Sequence, residues 1–342
     1  GGGGGGGEHS MWRIGMQQMG RVAKSLRQLG YAVVDGVVEP SVAKGLKAEI
    51  QTLKSGNVMY KNATHIVSRD GNTHYLEKSQ IFEWDTMHPL WEKHVDIIPT
   101  IDVLHKDTSL VDCLNEHIPG LDLESQTLKV QHNAGSGGCF PIHFDTDPGL
   151  DGRAVTAILY LNEQWEPSHG GHITLYPWPY EKVEIEPIFG RLVMFSSAHM
   201  PHRVTPSIAT ERQCLTVWIS RSITSTVKKD EARKMEKDAV RSLIAQGDMA
   251  SFKSFMHPLC RRLLAKAMLS QEWERSIVEA HDEGPAREAA LMSYHNNVLV
   301  LRKIFQKVLP RLEEYINDPT AKSKLYLDKY DEEEGGEKLV WF

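Results

Sequence analysis

From residue 126 the chain breaks into short runs, LKVQHN, AVTAILYLN, HITLYPW, RLVMFSS and QCLTVWIS, each fenced by Gly, Pro, Asp or Ser clusters. These runs are rich in β-branched and aromatic residues, which suit a pleated, half-buried surface. Many short strands with regular punctuation predict an antiparallel barrel or jelly roll. The pattern stops near residue 225.

What flanks this block reads as helix. Residues 11–29 predict a helix ended by Gly30, followed by a short strand, YAVVDG. Pro40 and Ser41 open an amphipathic helix to about Leu53, with Lys54-Ser55-Gly56 as its stop. Residues 57–88 are strand and loop material with a turn at Asp70-Gly71-Asn72, and helices follow over 89–106 and 109–116. Beyond 225, helical periodicity returns over 228–245, 249–268 and 286–317. In the last of these, Leu291, Tyr294, Val298, Leu301, Phe305, Val308, Leu312 and Tyr315 recur three and four apart, the seam of a helix in a bundle core. Leu299, Ile304, Leu309 and Ile316 widen that face, and Pro310 should kink the helix. Such a face packs on the barrel or on a partner, away from the strand-rich site.

These textures divide the chain into a glycine-rich end at 1–10, a main domain at 11–225, a helical extension at 226–318 and an acidic tail at 319–342 read as a solvated end. The 342 residues exceed what one compact core usually needs, which agrees with a domain plus an appendage. A formal net charge of −6 argues against a general nucleic-acid or anionic-membrane binder. No run approaches the roughly 18 apolar residues of a membrane span. Cys113, Cys139, Cys214 and Cys260 lie far apart, unlike a zinc knuckle or a disulfide framework, so a reducing compartment, cytosol or nucleus, is expected.

Two segments carry chemistry. In PIHFDTD, His143 and Asp145 are two apart, and alternate residues of a strand project from one face. Downstream, AHMPHRVTP offers His199 and His202 as a third ligand. Two imidazoles and a carboxylate on one face of an octahedron leave three positions open, the arrangement of non-haem Fe(II) oxygenases. Alone, His-x-Asp reads as surface polarity; here it has company. Arg212, Cys214, Thr216 and Trp218 alternate along one strand, and Thr156, Ile158 and Tyr160 along another. A cation, a thiol, hydroxyls and an aromatic wall suit a dicarboxylate pocket, where a guanidinium pairs in bidentate fashion. The bland readings are a surface salt bridge for Arg212 and a core tyrosine for Tyr160.

From Leu128 to Ser220 the sequence resembles the prolyl 4-hydroxylase branch of the Fe(II)- and 2-oxoglutarate-dependent oxygenases, most closely the hypoxia-inducible-factor prolyl hydroxylases. HFDTDPGLDGRAVTAILYLNEQW, HGGHITLYPW, IEPIFGRLVMFSS and PHRVTPSIATERQCLTVWIS carry the likeness, and LGYAVVDGVVEPSVAKGLKAEIQTLKSG extends it to roughly residues 20–222. The resemblance implies an α+β fold with a double-stranded β-helix core, jelly-roll or cupin-like, supporting N-terminal helices and the C-terminal helical extension. It implies His143, Asp145 and His202 as iron ligands and Arg212 as the partner of the distal carboxylate of 2-oxoglutarate. Tyr160, Ile158, Thr216 and Trp218 match residues lining the cosubstrate pocket. His202 takes the distal role over His199 because the family places that histidine a few residues before a proline and a basic residue.

The implied activity is hydroxylation of prolyl residues in a protein or peptide, with O2 as second cosubstrate, succinate and CO2 released, and ascorbate as reductant. A dioxygenase acting on another side chain or a small molecule, or a non-enzymatic scaffold on a degenerate barrel, are the alternatives, and the helical extension is a candidate partner-binding region. Asn133 stands where the hypoxia enzymes have a cosubstrate tyrosine, and HYLEKSQIFEW replaces the family's charged pattern in the substrate-loop region. One extra residue sits between Asp145 and Arg153, and another between His202 and Arg212.

Overall fold

The structure is a computed structural model that describes residues 10–67, 73–147, 151–222, 229–318 and 341–342. The turn expected at Asp70-Gly71-Asn72, the glycine run at 1–9, the boundary near 225 and the acidic stretch 319–340 lie outside the described residues.

Four helices precede or interleave with the first strands: α1 (Met16–Leu29), α2 (Pro40–Ser55), α3 (Pro99–Lys106) and α4 (Ser109–His117). On α1, Met19, Val22, Ala23 and Leu26 form the buried stripe, and Gly30 closes the helix in the left-handed conformation, φ 77°, donating its N–H to Leu26 O at 3.0 Å. Pro40 starts α2, where its missing N–H costs nothing. The Glu49 carboxylate on α2 accepts the N–H groups of Thr100 and Ile101, each at 2.8 Å, capping α3 with a charge that suits a helix N-terminus.

The strands are β1 (Tyr31–Asp35), β2 (Tyr60–Val67), β3 (Thr73–Asp85), β4 (Leu123–Asn133), β5 (Gly138–His143), β6 (Arg153–Tyr160), β7 (Ile173–Leu175), β8 (Val183–Ile185), β9 (Arg191–Ser196), β10 (His202–Ser207) and β11 (Arg212–Arg221). They form a seven-stranded sheet, β1-β9-β6-β11-β4-β3-β2, facing a four-stranded one, β5-β10-β7-β8, with every pairing between named strands antiparallel. This is the expected jelly roll with helices on both flanks. Alternation sorts the large sheet's two faces. Leu128, Val130, Leu159, Met194, Leu215 and Val217 pack against α1–α4, while Ile158, Tyr160, Phe195 and Cys214 turn toward Ile173 and Leu175 of the small sheet. The inner face is where the polar side chains collect.

After the barrel come α5 (Lys229–Gln246), α6 (Phe252–Phe255), α7 (Pro258–Met268), α8 (Ser270–Ala280), α9 (Pro285–Ile304) and α10 (Leu309–Asn317). Tyr294, Val298, Leu301, Phe305, Val308 and Leu312 of the expected seam are buried. Leu299, by contrast, is 66% exposed, so that face is narrower than its apolar content suggests. Pro310 does not kink one long helix; the chain breaks after Ile304, and Pro310 opens α10. A helix over 270–280, which no sequence pattern signals, packs along β5, and Trp273 and Ile277 join Ile142, Tyr176, Tyr294 and Val298 in one cluster. The helices therefore lie against the strand that carries His143, not away from it.

The end of the chain also departs from expectation. Trp341, read as part of a solvated tail, is 1% exposed. Its indole N–H donates to Gln28 O at 3.3 Å, its carbonyl accepts from Ser196 Oγ, and the Arg261 guanidinium on α7 lies 3.3 Å from the ring centroid. The ring packs so closely on Gly30 that a Cβ there would overlap it. Trp341 thus joins α1, β9 and α7. Trp341→Ala should cost about 3–5 kcal/mol, the usual range for deleting a buried aromatic. Urea unfolding followed by far-ultraviolet dichroism measures this, and a loss under about 1 kcal/mol would show that the three elements hold without it.

Candidate functional site

β5 ends at His143 and β10 begins at His202, and the two are register partners across the small sheet. Their rings lie 4.3 Å apart, centroid to centroid. Each Nδ1 faces a backbone carbonyl, Pro141 O at 2.8 Å from His143 and Met200 O at 3.1 Å from His202. A carbonyl only accepts, so each Nδ1 carries a hydrogen, and each Nε2 is the ring atom left to face a ligand.

Asp145 is not on the strand, as the alternation argument supposed, but on a bend just beyond it. Its backbone N–H donates to Ser197 O at 3.1 Å, which fixes the bend. Oδ1 lies 3.5 Å from both Nε2 atoms, and the three ligand atoms all fall within 4.8 Å of one another. Oδ2 is occupied otherwise: Thr156 Oγ1 donates to it at 2.5 Å and Trp218 Nε1 at 3.2 Å. One oxygen is held by protein donors and the other is left to the imidazoles.

Burial pushes the Asp145 carboxyl up, but the His202 and His143 imidazoles overcome this and hold it well below the usual carboxylate range. Burial, aided by the neighbouring His202, pushes His143 down. His143 sits deep among protein atoms, yet its side chain is still 38% exposed, making it the member of the cluster on the open side. An anionic carboxylate with the Nε2 atom of each imidazole turned toward it offers a divalent cation three donor atoms. The donor set, two nitrogens and one oxygen, suits iron with positions left open.

The second group lies deeper. Arg212 is 2% exposed, and among the described residues no carboxylate pairs with it. Its Nε donates to Gly171 O at 2.8 Å, and its guanidinium carbon lies 5.3 Å from the Tyr160 ring centroid. Gly171, at φ 72°, has to be glycine: a Cβ would stand 2.8 Å from Arg212 Cδ and 3.1 Å from Ser207 Cβ. The hydroxyls of Tyr160 and Ser207 are buried without a hydrogen-bond partner. Burial raises the Tyr160 phenol above its ordinary value, so it remains a donor. A buried unpaired cation and orphaned hydroxyls fit an anionic ligand, here a carboxylate.

The remaining expected pocket residues share this inner face. Thr216 is the register partner of Ile158, Cys214 of Tyr160 and Trp218 of Thr156. Trp218 is more than a wall, since its indole N–H is spent on Asp145. Thr156 is grouped by alternation with Ile158 and Tyr160, whereas Ser197 and Ser207 carry no spacing signal that would mark them as site residues. Asn133 is buried and serves the turn before β5, donating to Gly138 O at 2.8 Å and accepting from Gly135 N–H at 3.0 Å. His199 stands outside the triad, with Nδ1 3.5 Å from Ser196 Oγ.

Residues 128–220 match the 2OG-Fe(II) oxygenase superfamily. Over 87 residues the chain is 44% identical to prolyl hydroxylase EGLN3 of Mus musculus, an alignment covering 25% of this chain and 36% of that one. It is 27% identical over 214 residues to the hypoxia-inducible factor prolyl hydroxylase of Caenorhabditis elegans, covering 58% of this chain and 27% of the relative. The chain thus spans only about a third of the length of such relatives. Among solved structures, a prolyl 4-hydroxylase from Phytophthora capsici superposes with TM-score 0.67 at 25% identity, over 94% of this chain and 99% of that one. A Trichoplax adhaerens prolyl hydroxylase, solved with a hypoxia-inducible factor peptide fragment, shares the fold at TM-score 0.50 and 24% identity, over 60% and 91%.

His199 supplies a pH test. Burial first, and then the Arg261 charge, pull its pKa down to about 3, against about 6.5 in an unfolded chain. Between these values the unfolded state holds a proton that the folded state refuses. This histidine therefore lowers stability as pH falls below 6.5, by at most about 1.4 kcal/mol per pH unit, and the effect levels off near pH 3. His199→Asn should flatten the fall in urea midpoint between pH 6.5 and 4.5. An unchanged slope would mean that His199 protonates freely in the fold.

Proposed function

We propose that this chain, through the 2OG-Fe(II) oxygenase domain at residues 128–220, hydroxylates prolyl residues of a peptide substrate, releasing succinate and CO2. Buried Arg212, with no carboxylate partner among the described residues and in the same barrel as the His143-Asp145-His202 cluster, carries this reading. In it, the three clustered residues hold Fe(II), and Arg212 pairs with the distal carboxylate of 2-oxoglutarate, with the Tyr160 hydroxyl as a further donor. Bound iron supplies the oxidising power, drawn from O2 and the decarboxylation of 2-oxoglutarate. The chain's own part is orientation. Thr156 and Trp218 fix Asp145 Oδ2, the Pro141 and Met200 carbonyls aim the imidazoles, and Ile158 and Phe195 keep water from the inner wall.

Prolyl chemistry is supported by the names of the relatives, prolyl hydroxylases by sequence and a prolyl 4-hydroxylase at TM-score 0.67. The proposal includes ascorbate as reductant and a cytosolic or nuclear setting, consistent with four unpaired cysteines. No described helix is long and apolar enough to cross a membrane.

Arg212→Ala should raise the Michaelis constant for 2-oxoglutarate at least tenfold, about 1.4 kcal/mol, with Arg212→Lys between the two because it keeps the charge but not the fork. A change within about threefold (about 0.65 kcal/mol) would place the carboxylate on another group. For the substrate, peptides from a cell lysate are incubated with enzyme, Fe(II), ascorbate and 2-oxoglutarate, with Asp145→Ala as the blank. Mass spectrometry should find oxygen added at proline only with active enzyme. Oxygen on other residues, or only on small metabolites, refutes the prolyl assignment.

A further inference from the structure

Beyond the oxygenase domain, one side chain of the helical extension reaches the segments that carry the clustered ligands. Arg262 lies on α7, and its side chain is 11% exposed. Its Nη1 donates to two carbonyls, Thr146 O at 2.8 Å and Ala198 O at 2.7 Å. Nη2 pairs with Asp147, and the guanidinium carbon stands 4.2 Å from the Phe144 ring centroid. Thr146 follows Asp145 directly, and Ala198 lies in the connection from β9 to His202 at the head of β10. One guanidinium therefore joins the bend bearing Asp145 to the connection leading into His202. The same two segments also meet directly through Asp145 N–H on Ser197 O, 3.1 Å.

We propose that Arg262 is a positioning residue of the metal site, a clamp from the helical extension that sets the spacing of Asp145 and His202. This rests on the reading of the triad as an iron site. The clamp has a planar set of donors because it must serve two carbonyls in fixed directions, which an ammonium does less well. Buried carbonyls that lose a donor also cost about 1–3 kcal/mol each, so the arrangement resists opening. Burial lowers the Arg262 pKa to about 10, still a cation at neutral pH. The ion pair with Asp147 is the dispensable arm, because the Asp147 side chain is 72% exposed and screened by solvent.

The test uses Co(II) as a spectroscopic stand-in for Fe(II), added to the full chain without 2-oxoglutarate. Wild type should take up one Co(II) with a visible spectrum that His143→Ala abolishes. Arg262→Met should weaken Co(II) binding about 10–100-fold, the usual range for groups behind the ligands, and should change the visible bands of the folded protein. Arg262→Lys should recover part of both, and Asp147→Ala should leave both as in wild type. A structural role alone would lower the melting temperature and leave the spectrum of the folded fraction unchanged. Should Arg262→Met fail to fold, Arg262→Lys decides: folded protein with wild-type affinity and spectrum overturns the proposal. Asp147→Ala as damaging as Arg262→Met overturns it too, because the ion pair rather than the carbonyl clamp would then matter. A wild type that binds no Co(II) sinks the iron reading and this inference with it, whereas tight wild-type binding with an indifferent Arg262 sinks this inference alone.

Discussion

Asp145 has to remain charged while buried, and several elements of the barrel converge on that requirement. An uncompensated buried carboxylate costs several kcal/mol, so it survives only where donors and positive partners meet it. Here Thr156 comes from β6, Trp218 from β11, and the imidazoles from β5 and β10. Thr156 and Trp218 reach the same oxygen because β6 and β11 are neighbours with those residues in register. Strand order is thus a condition of the site's chemistry. Moving either strand by one residue would swing a donor to the helix-covered face and leave Oδ2 unsatisfied.

Much of this was legible because it is periodic. Alternation in AVTAILYL and QCLTVWIS separates a largely apolar face, which α1–α4 cover, from a mixed face that looks inward. The same alternation grouped Arg212 with Cys214, Thr216 and Trp218, and Ile158 with Tyr160, and the register shows these sets facing one another. It misplaced Asp145 in one respect. The strand stops at His143, and the carboxylate reaches its position through a bend held by Ser197, a contact no local pattern encodes. Asn133 is instructive in the other direction. Its side chain bridges Gly135 and Gly138, so the substitution serves the tight glycine turn that launches β5.

What the sequence hid is tertiary. The acidic stretch from Asp331 to Glu334 signals solvation, yet Trp341, near that run, is buried against Gly30 and Arg261. A single aromatic residue in a polar context has no period to read. Arg262 was invisible for a related reason: an arginine on an amphipathic helix resembles a solvated face until the segment it reaches is known. Helix α8 went unread because Trp273, Ser276 and Ile277 make a stripe too narrow to signal burial on their own.

That narrow stripe nonetheless solves a problem set by the topology. β5 is the edge of the four-stranded sheet, so one side of the strand carrying His143 has no strand to pair with. Ser276 Oγ accepts the Ile142 N–H at 2.9 Å, while Cys139 Sγ donates to Glu279 O at 3.4 Å. A helix cannot continue a ladder, but a hydroxyl at its surface can satisfy the single amide that matters, next to the ligand. Its small side chain also lets α8 approach until Trp273 and Ile277 pack with Ile142. The covered edge, the Arg262 bridge and the Trp341 contact all tie helices after residue 228 to the barrel at or near the ligand-bearing segments. The boundary that composition draws near 225 therefore marks a change of secondary structure, and residues beyond it contact the segments that carry His143, Asp145 and His202.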